Sequence, residues 1–213
     1  MKPDRAWTLL PSGPRLNLLA PDPQSWTDRD LAIGLSRTYR WGGYSAWDLP
    51  LSVAQHSLAV LALRRRDAAG KLTPAEAVRE LLHDAIEALM GGWDPITPLK
   101  PHLGAGYARL ARCLQAAVDA RYDLPAWGAA DLLAHKQADR LAAASEAFHV
   151  AGWSQEELRS ELGITLDPLD NDPLVPPAGM RPWEPWSPRT AETRFLDMLQ
   201  RLQAAIAGEG RGA

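Results

Sequence analysis

The stretch 73–92 constrains the fold more than any other part of the sequence. Thr73 is a good N-cap, Pro74 suits the first helical turn, and Glu76 places an acid at the positive end of the helix dipole. Apolar side chains then recur at helical spacing until a pair of glycines stops the pattern. The sequence therefore predicts one helix from Thr73 to about Met90.

Weaker versions of the same pattern occur along the rest of the chain. Thr27 and Ser52 are suited to cap two of the resulting helices. No internal repeat and no convincing strand alternation interrupts them. The sequence predicts an all-α bundle of six or more helices, the others lying at about 28–39, 52–66, 105–121, 129–150, 154–162 and 189–207.

The length of 213 residues fits a single domain. We expect its core at about 28–150, preceded by an extended N-terminal arm over 1–27. A Pro- and Trp-rich surface arm follows at about 167–188, and a C-terminal helix at about 189–207. The second helix ends in a run of three arginines, Arg64 to Arg66, which indicates a solvated C-terminus.

Composition excludes several classes of protein. A hydrophobic fraction of 46% and a charged fraction of 23% are typical of a soluble globular chain. The net charge of −3 argues against a general or stable nucleic-acid partner. No signal-peptide pattern and no apolar run of membrane-spanning length is visible. We therefore expect a cytoplasmic protein without a membrane partner.

Candidate metal ligands lie on three of the predicted helices. These residues are His56, the adjacent pair His83-Asp84, and Asp139. A single histidine on an apolar face is more often a hydrogen-bonded core residue than a ligand. An adjacent His-Asp pair is different, because both side chains leave the helix within about 100° of each other and can converge on one point. Two imidazoles and two carboxylates suit a divalent metal.

Glu87 follows His83 by four residues and Asp84 by three, so helical spacing places it on the same side one turn further on. There it could transfer a proton or hydrogen-bond a water. The alternative is an ordinary solvated glutamate.

Four strings in order resemble the HD-domain phosphohydrolases, and most closely the bacterial 5′-deoxynucleotidases of the YfbR type. They are RW before SVAQHS at 52–57, HDAIE at 83–87, DPITPLK at 94–100 and KQAD at 136–139. The similarity covers roughly 30–150. It implies an HD-domain helical bundle and a metal-dependent enzyme that hydrolyses the 5′-phosphate of (deoxy)nucleoside monophosphates.

The resemblance also implies roles for individual residues. His56, His83, Asp84 and Asp139 would bind one divalent metal, whether cobalt, manganese, zinc, iron, nickel or magnesium. Glu87 would serve proton transfer or position water, and Asp94 would orient the attacking water. Arg40 and Lys100 would hold the phosphate, and Trp41 would pack on the sugar or base. The partners implied are a nucleotide substrate and a second copy of the chain, in a dimer or larger homo-oligomer.

The chain departs from the family pattern in two places. The stretch between Glu87 and Asp94 is about two residues longer, and Gln55 replaces a glutamate before His56. Neither the N-terminal arm nor the segment 167–188 has a counterpart in the family.

Three alternatives remain open. One is a triphosphohydrolase that releases triphosphate from a dNTP. Another is a di-iron oxygenase on the same scaffold, which would need additional ligands such as His102 or His135. A third is a nucleotide sensor without activity. Otherwise His102, His135 and His149 are expected to be surface or capping groups.

Overall fold

The computed structural model describes residues 5–68, 71–96 and 98–209. The all-α prediction is confirmed, since 57% of the chain is helical and 4% is strand. The described part contains eight α-helices: α1 Asp28–Arg37, α2 Val53–Asp67, α3 Pro74–Leu81, α4 Ala85–Leu89, α5 Gly104–Tyr122, α6 Ala129–Glu146, α7 Gln155–Ser160 and α8 Pro188–Glu209. Short 3-10 helices span Arg40–Gly43 and Lys100–Leu103, and a π-helical turn spans Ala147–Ala151.

The predicted helix starts are confirmed at Thr27, Ser52 and Thr73, each of which accepts a hydrogen bond from a backbone N–H of the first turn. At Thr73 the bond is reciprocal, because the Glu76 carboxylate also accepts from the Thr73 backbone N–H at 2.8 Å. These caps satisfy N–H groups that the helix itself leaves unpaired.

The prediction of one continuous helix from Thr73 to Met90 is wrong. The chain forms α3 and α4 instead, and His83 and Asp84 lie in the turn between them. His83 Nδ1 hydrogen-bonds the backbone oxygen of Glu80 at 2.8 Å. In an uninterrupted helix that oxygen would accept the N–H of Asp84. A side-chain bond thus replaces a helical one, and the chain turns at this point.

The N-terminal arm, which is predicted to be extended, contains regular structure. A short antiparallel hairpin pairs β1, Trp7–Leu9, with β2, Arg15–Asn17. Two hydrogen bonds connect the hairpin turn to α1: the Ser12 backbone N–H and hydroxyl donate to the Asp30 carboxylate at 2.8 and 2.6 Å. Strands of three residues are too short to produce a recognisable alternation, which is why the sequence pattern missed them.

Packing brings the elements near the HD pair together. α1 packs against α4 and α8, and α2 packs against α3 and α6. Gly34 permits the close approach of α1 to α4, because a Cβ there would lie 2.6 Å from the Cβ of Ala88. This contact fixes the short helix that carries Glu87.

The main apolar core includes side chains from the segments on both sides of 28–150. Both flanking segments contribute fully or nearly fully buried side chains to it, among them Leu16, Trp26, Trp186, Phe195 and Leu199. Among the described residues, no helix has the length and apolar character needed to cross a membrane.

The Pro/Trp-rich segment is held against α2 by Gln55, which is 4% exposed. The Gln55 side-chain N–H donates to the backbone oxygen of Glu184 at 3.2 Å, and its oxygen accepts the backbone N–H of Trp186 at 2.8 Å. A glutamate could not donate the first bond. The amide of Gln55 therefore suits both bonds to the Pro/Trp-rich segment, one as donor and one as acceptor.

We expect Gln55→Glu to destabilise the chain by about 1–3 kcal/mol at pH 7, because a buried carboxylate would face a carbonyl oxygen without a donor. Urea unfolding measures this change. Gln200→Glu adds the same charge at an exposed position of α8 and should leave the unfolding free energy within about 0.5 kcal/mol of the wild type. Equal stability of the two variants would show that Gln55 does not hold the segment.

Candidate metal centre

Two backbone hydrogen bonds bring Arg40 to the start of α2. The Arg40 N–H donates to the Leu51 oxygen at 2.9 Å, and the Val53 N–H donates to the Thr38 oxygen at 2.9 Å. They flank an isolated antiparallel bridge between Tyr39 and Ser52. The segment after α1 therefore lies beside the first turn of α2, where His56 follows.

The structure brings the four predicted metal-ligand residues together from α2, the α3–α4 turn and α6. His56 Nε2 lies 3.3 Å from His83 Nε2, 3.2 Å from Asp139 Oδ1 and 3.6 Å from Asp84 Oδ2. His83 Nε2 lies 3.2 Å from Asp84 Oδ2. His56, His83 and Asp84 form a group that could hold a metal ion.

These separations match one coordination shell. Neighbouring ligand atoms about 2.0–2.2 Å from a metal lie about 2.8–3.6 Å from one another in octahedral or tetrahedral arrangements. The measured distances from His56 Nε2 are 3.2, 3.3 and 3.6 Å. The donor set, two imidazole nitrogens and carboxylate oxygens, is also one that divalent transition metals accept.

Nearby carboxylates raise the pKa values of both histidines in the cluster. Burial and the charge of Arg40 lower the pKa of His56, but Glu146 and Asp139 outweigh them and raise this pKa to about 10. Burial lowers the pKa of His83, and Asp84 raises it above the ordinary value. The cluster therefore attracts positive charge, which protons or a metal ion can supply.

Glu87 lies beside this cluster and is 2% exposed. Burial raises the pKa of its carboxyl, and the nearby charges of Asp84 and Asp94 raise it further, to about 10. Lys100 Nζ lies 3.4 Å from Glu87 Oε1 and lowers this pKa without reversing the shift. Among the described residues Oε2 has no hydrogen-bond partner. The raised pKa favours the neutral acid at neutral pH in the metal-free chain, and Oε2 is left without a partner among the described residues.

The remaining charged residues of the prediction also lie here. Arg40 Nη1 is 3.5 Å from Asp94 Oδ2 and 3.8 Å from Asp84 Oδ2. The Asp94 side chain is 7% exposed, so the longer stretch before it still places it inside the cluster. Lys100 is held by Glu87. Two permanent cations therefore lie around the acids of the candidate metal group.

Trp41 adjoins Arg40 in a strained turn. Its φ is 57°, in the left-handed region that non-glycine residues rarely adopt, and Gly42 follows with φ 65°. The Arg40 guanidinium lies 6.0 Å from the centre of the Trp41 ring. The indole Nε1 is buried and has no hydrogen-bond partner in the described ranges. Strain together with an unpaired donor is typical of binding sites.

Sequence reasoning missed Glu146, the last residue of α6. It is 3% exposed and bonds both His56 and Arg40. A signal was present, because Glu146 follows Asp139 by seven residues, or two helical turns, and so lies on the same face of α6.

Two other predictions are wrong for a related reason. Arg64 is not solvated but 4% exposed, and it donates to Glu80. His135 is not a surface group but 3% exposed, with Nδ1 2.8 Å from Glu80 Oε2. Glu80 itself is buried between them. Buried polar contacts between distant parts of the chain have no local sequence pattern.

The other two histidines lie outside the cluster. His102 is exposed in the second 3-10 helix, as expected. His149 stacks on Trp183 and contacts the Leu169 backbone oxygen at 2.8 Å, which fastens the Pro/Trp-rich segment. Within the described ranges neither His102 nor His135 belongs to the group that could hold a metal.

The fold and this cluster define an all-α protein with a candidate metal centre where α2, α6 and the α3–α4 turn meet. The chain is 42% identical over 154 residues to an uncharacterized protein of Rhodobacter capsulatus, a match that spans 72% of this chain and 77% of that protein. The chain belongs to the same family as this Rhodobacter protein. No family model matches the chain.

Proposed function

We propose that this protein is a metal-dependent phosphohydrolase of the HD-domain kind, which releases orthophosphate from (deoxy)nucleoside 5′-monophosphates. One observation carries the proposal: His56, His83 and Asp84 lie within single-metal distances of one another, Asp139 lies 3.2 Å from His56, and the buried acid Glu87 lies beside them. The resemblance of the motif strings to HD-domain 5′-deoxynucleotidases supplies the substrate class.

The residues present fit a divalent cation by charge. Four carboxylates, those of Asp84, Asp94, Asp139 and Glu146, lie in or beside the cluster, and the charges of Arg40 and Lys100 balance two of them. A divalent ion would balance the remaining two. When bound, it supplies a Lewis acid for the phosphate and makes water more acidic.

The chain's own residues supply the other requirements of the reaction. The planar guanidinium of Arg40 and the ammonium of Lys100 would donate hydrogen bonds to the phosphate oxygens. Asp94 would orient a water and accept its proton while the water oxygen bonds to phosphorus. The bond from phosphorus to the 5′-oxygen breaks, and this oxygen takes its proton from Glu87. Exchange with solvent then restores both acids.

The aromatic side of the site would receive the nucleoside. The half-buried ring of Trp41 would offer packing area for a sugar or base, and its Nε1, unpaired among the described residues, would offer a donor.

A substrate screen tests the proposal. The protein is stripped with a chelator, reloaded separately with cobalt, manganese, zinc, nickel, iron or magnesium, and incubated with dNMPs, NMPs and dNTPs. Phosphorus NMR should identify orthophosphate from monophosphates. Tripolyphosphate from dNTPs would establish the triphosphohydrolase alternative instead. Oxygen uptake by the iron form would indicate an oxygenase, and binding without turnover under every metal would indicate a sensor.

A further inference from the structure

A single buried carboxylate, Glu146, joins the candidate metal group to the candidate phosphate ligand. Its Oε1 lies 2.6 Å from His56 Nδ1, and its Oε2 accepts Arg40 Nε at 2.8 Å. Each oxygen therefore has its own donor, one from α2 and one from the segment before it.

The contact with His56 decides which ring nitrogen faces the cluster. An imidazole that donates Nδ1–H to a carboxylate leaves Nε2 free to bind a metal. His56 Nε2 is the atom that lies within 3.6 Å of His83, Asp84 and Asp139. The ring is fully buried, so no water molecule can replace Glu146 as the acceptor without a rearrangement.

The contact with Arg40 acts in a similar way on the guanidinium. Because Nε is bound by Glu146, the end of the fork that carries Nη1 turns toward Asp84 and Asp94. Without this bond the long side chain would have several rotamers open to it.

We propose that Glu146 is a positioning residue that fixes the metal-binding tautomer of His56 and the direction of Arg40 at the same time. This inference rests on the proposed function, because it assumes that His56 Nε2 binds a metal. Glu146 itself touches neither the metal nor the substrate in this proposal.

The chain contains a matched control. Glu80 is buried like Glu146, and it also contacts one arginine Nε and one histidine Nδ1, those of Arg64 and His135. His135 is outside the candidate metal group. The link from Glu80 to His83 runs through the backbone oxygen, which a side-chain substitution leaves in place. Glu80→Gln therefore removes the same kind of buried charge without touching the tautomer of a ligand.

The test is a metal titration of Glu146→Gln, Glu80→Gln and the wild type, with cobalt or zinc and a competing chelator. A glutamine has one oxygen and one NH2 group, so it can accept only one of the two donors, and its NH2 group must face the other. We expect Glu146→Gln to lose about 10- to 100-fold in metal affinity, the usual effect of removing such a partner. Glu80→Gln should stay within about threefold of the wild type.

Each of the other possible results contradicts either the inference about Glu146 or the proposed function as well. Normal affinity in Glu146→Gln, or an equal loss in both variants, overturns the inference and leaves the proposed function standing. A wild type that binds no metal overturns both. If Glu146→Gln does not fold, nitrogen NMR of the zinc-loaded wild type still decides the matter: Nδ1 of His56 should carry the proton, and zinc on Nδ1 would overturn the inference.

Discussion

Glu87→Gln is expected to lower turnover by about two to four powers of ten, the range typical of a lost general acid or base. Glutamine keeps the size of the side chain but has no proton to give to the departing oxygen. The position of Glu87 supports this role, because its free Oε2 lies in a buried site next to the acids of the cluster. Metal content should be unchanged.

A stability measurement on the same variant tests the protonation state independently of activity. In the folded chain the pKa of Glu87 is raised from its ordinary value of 4.5 to about 10. The neutral acid therefore favours folding fully below pH 4.5, and this contribution is lost as the pH rises toward 10. We expect metal-free Glu87→Gln to be more stable than the wild type by about 1–3 kcal/mol at pH 8. The two should be equally stable near pH 4.

Circular dichroism during urea unfolding at pH 4 and pH 8 measures this difference. A stability gain without loss of turnover would show that Glu87 is buried and neutral but does not transfer a proton. Asp94 would then be the better candidate for proton transfer. Equal stability at pH 8 with a large loss of turnover would show that Glu87 is ionised in the folded protein.

Asp84→Asn is expected to remove the metal and, with it, turnover. Asp84 Oδ2 lies 3.2 Å from His83 Nε2 and 3.6 Å from His56 Nε2, so it lies centrally in the group. An amide of the same shape lacks the negative charge and turns a donor toward one neighbour. We expect metal affinity to fall by more than about 100-fold, beyond the effect of changing an outer partner.

Metal content by mass spectrometry and turnover, measured on the same samples, separate this variant from Glu87→Gln. The control is Asp48→Asn, which makes the same chemical change at an exposed position and should keep both properties. If Asp84→Asn retained the metal, the ion would lie elsewhere in the protein and the candidate centre would be wrong.

Interactions between neighbours in the chain were sufficient to predict most of the helices, and the order of residues was sufficient to choose the candidate ligands. The cap at Thr73 depends on Glu76, three residues away, and the cap at Ser52 depends on Gln55. Such bonds join neighbours in the chain, so their pattern is visible without any tertiary contact. The order of His56, the HD pair and Asp139 is likewise a property of the sequence.

How the candidate ligands and their partners come together depends on the tertiary structure. The His83 side chain hydrogen-bonds the Glu80 backbone oxygen, and the helix predicted by the surrounding residues is interrupted between α3 and α4. Glu146 reaches Arg40 across 106 positions and His56 across 90, and Gln55 holds Trp186 across 131. Periodicity and caps describe interactions over a few residues, whereas these bonds form only after distant segments pack and exclude water. Their partners are set by burial, because a buried polar group must find a partner wherever the fold supplies one.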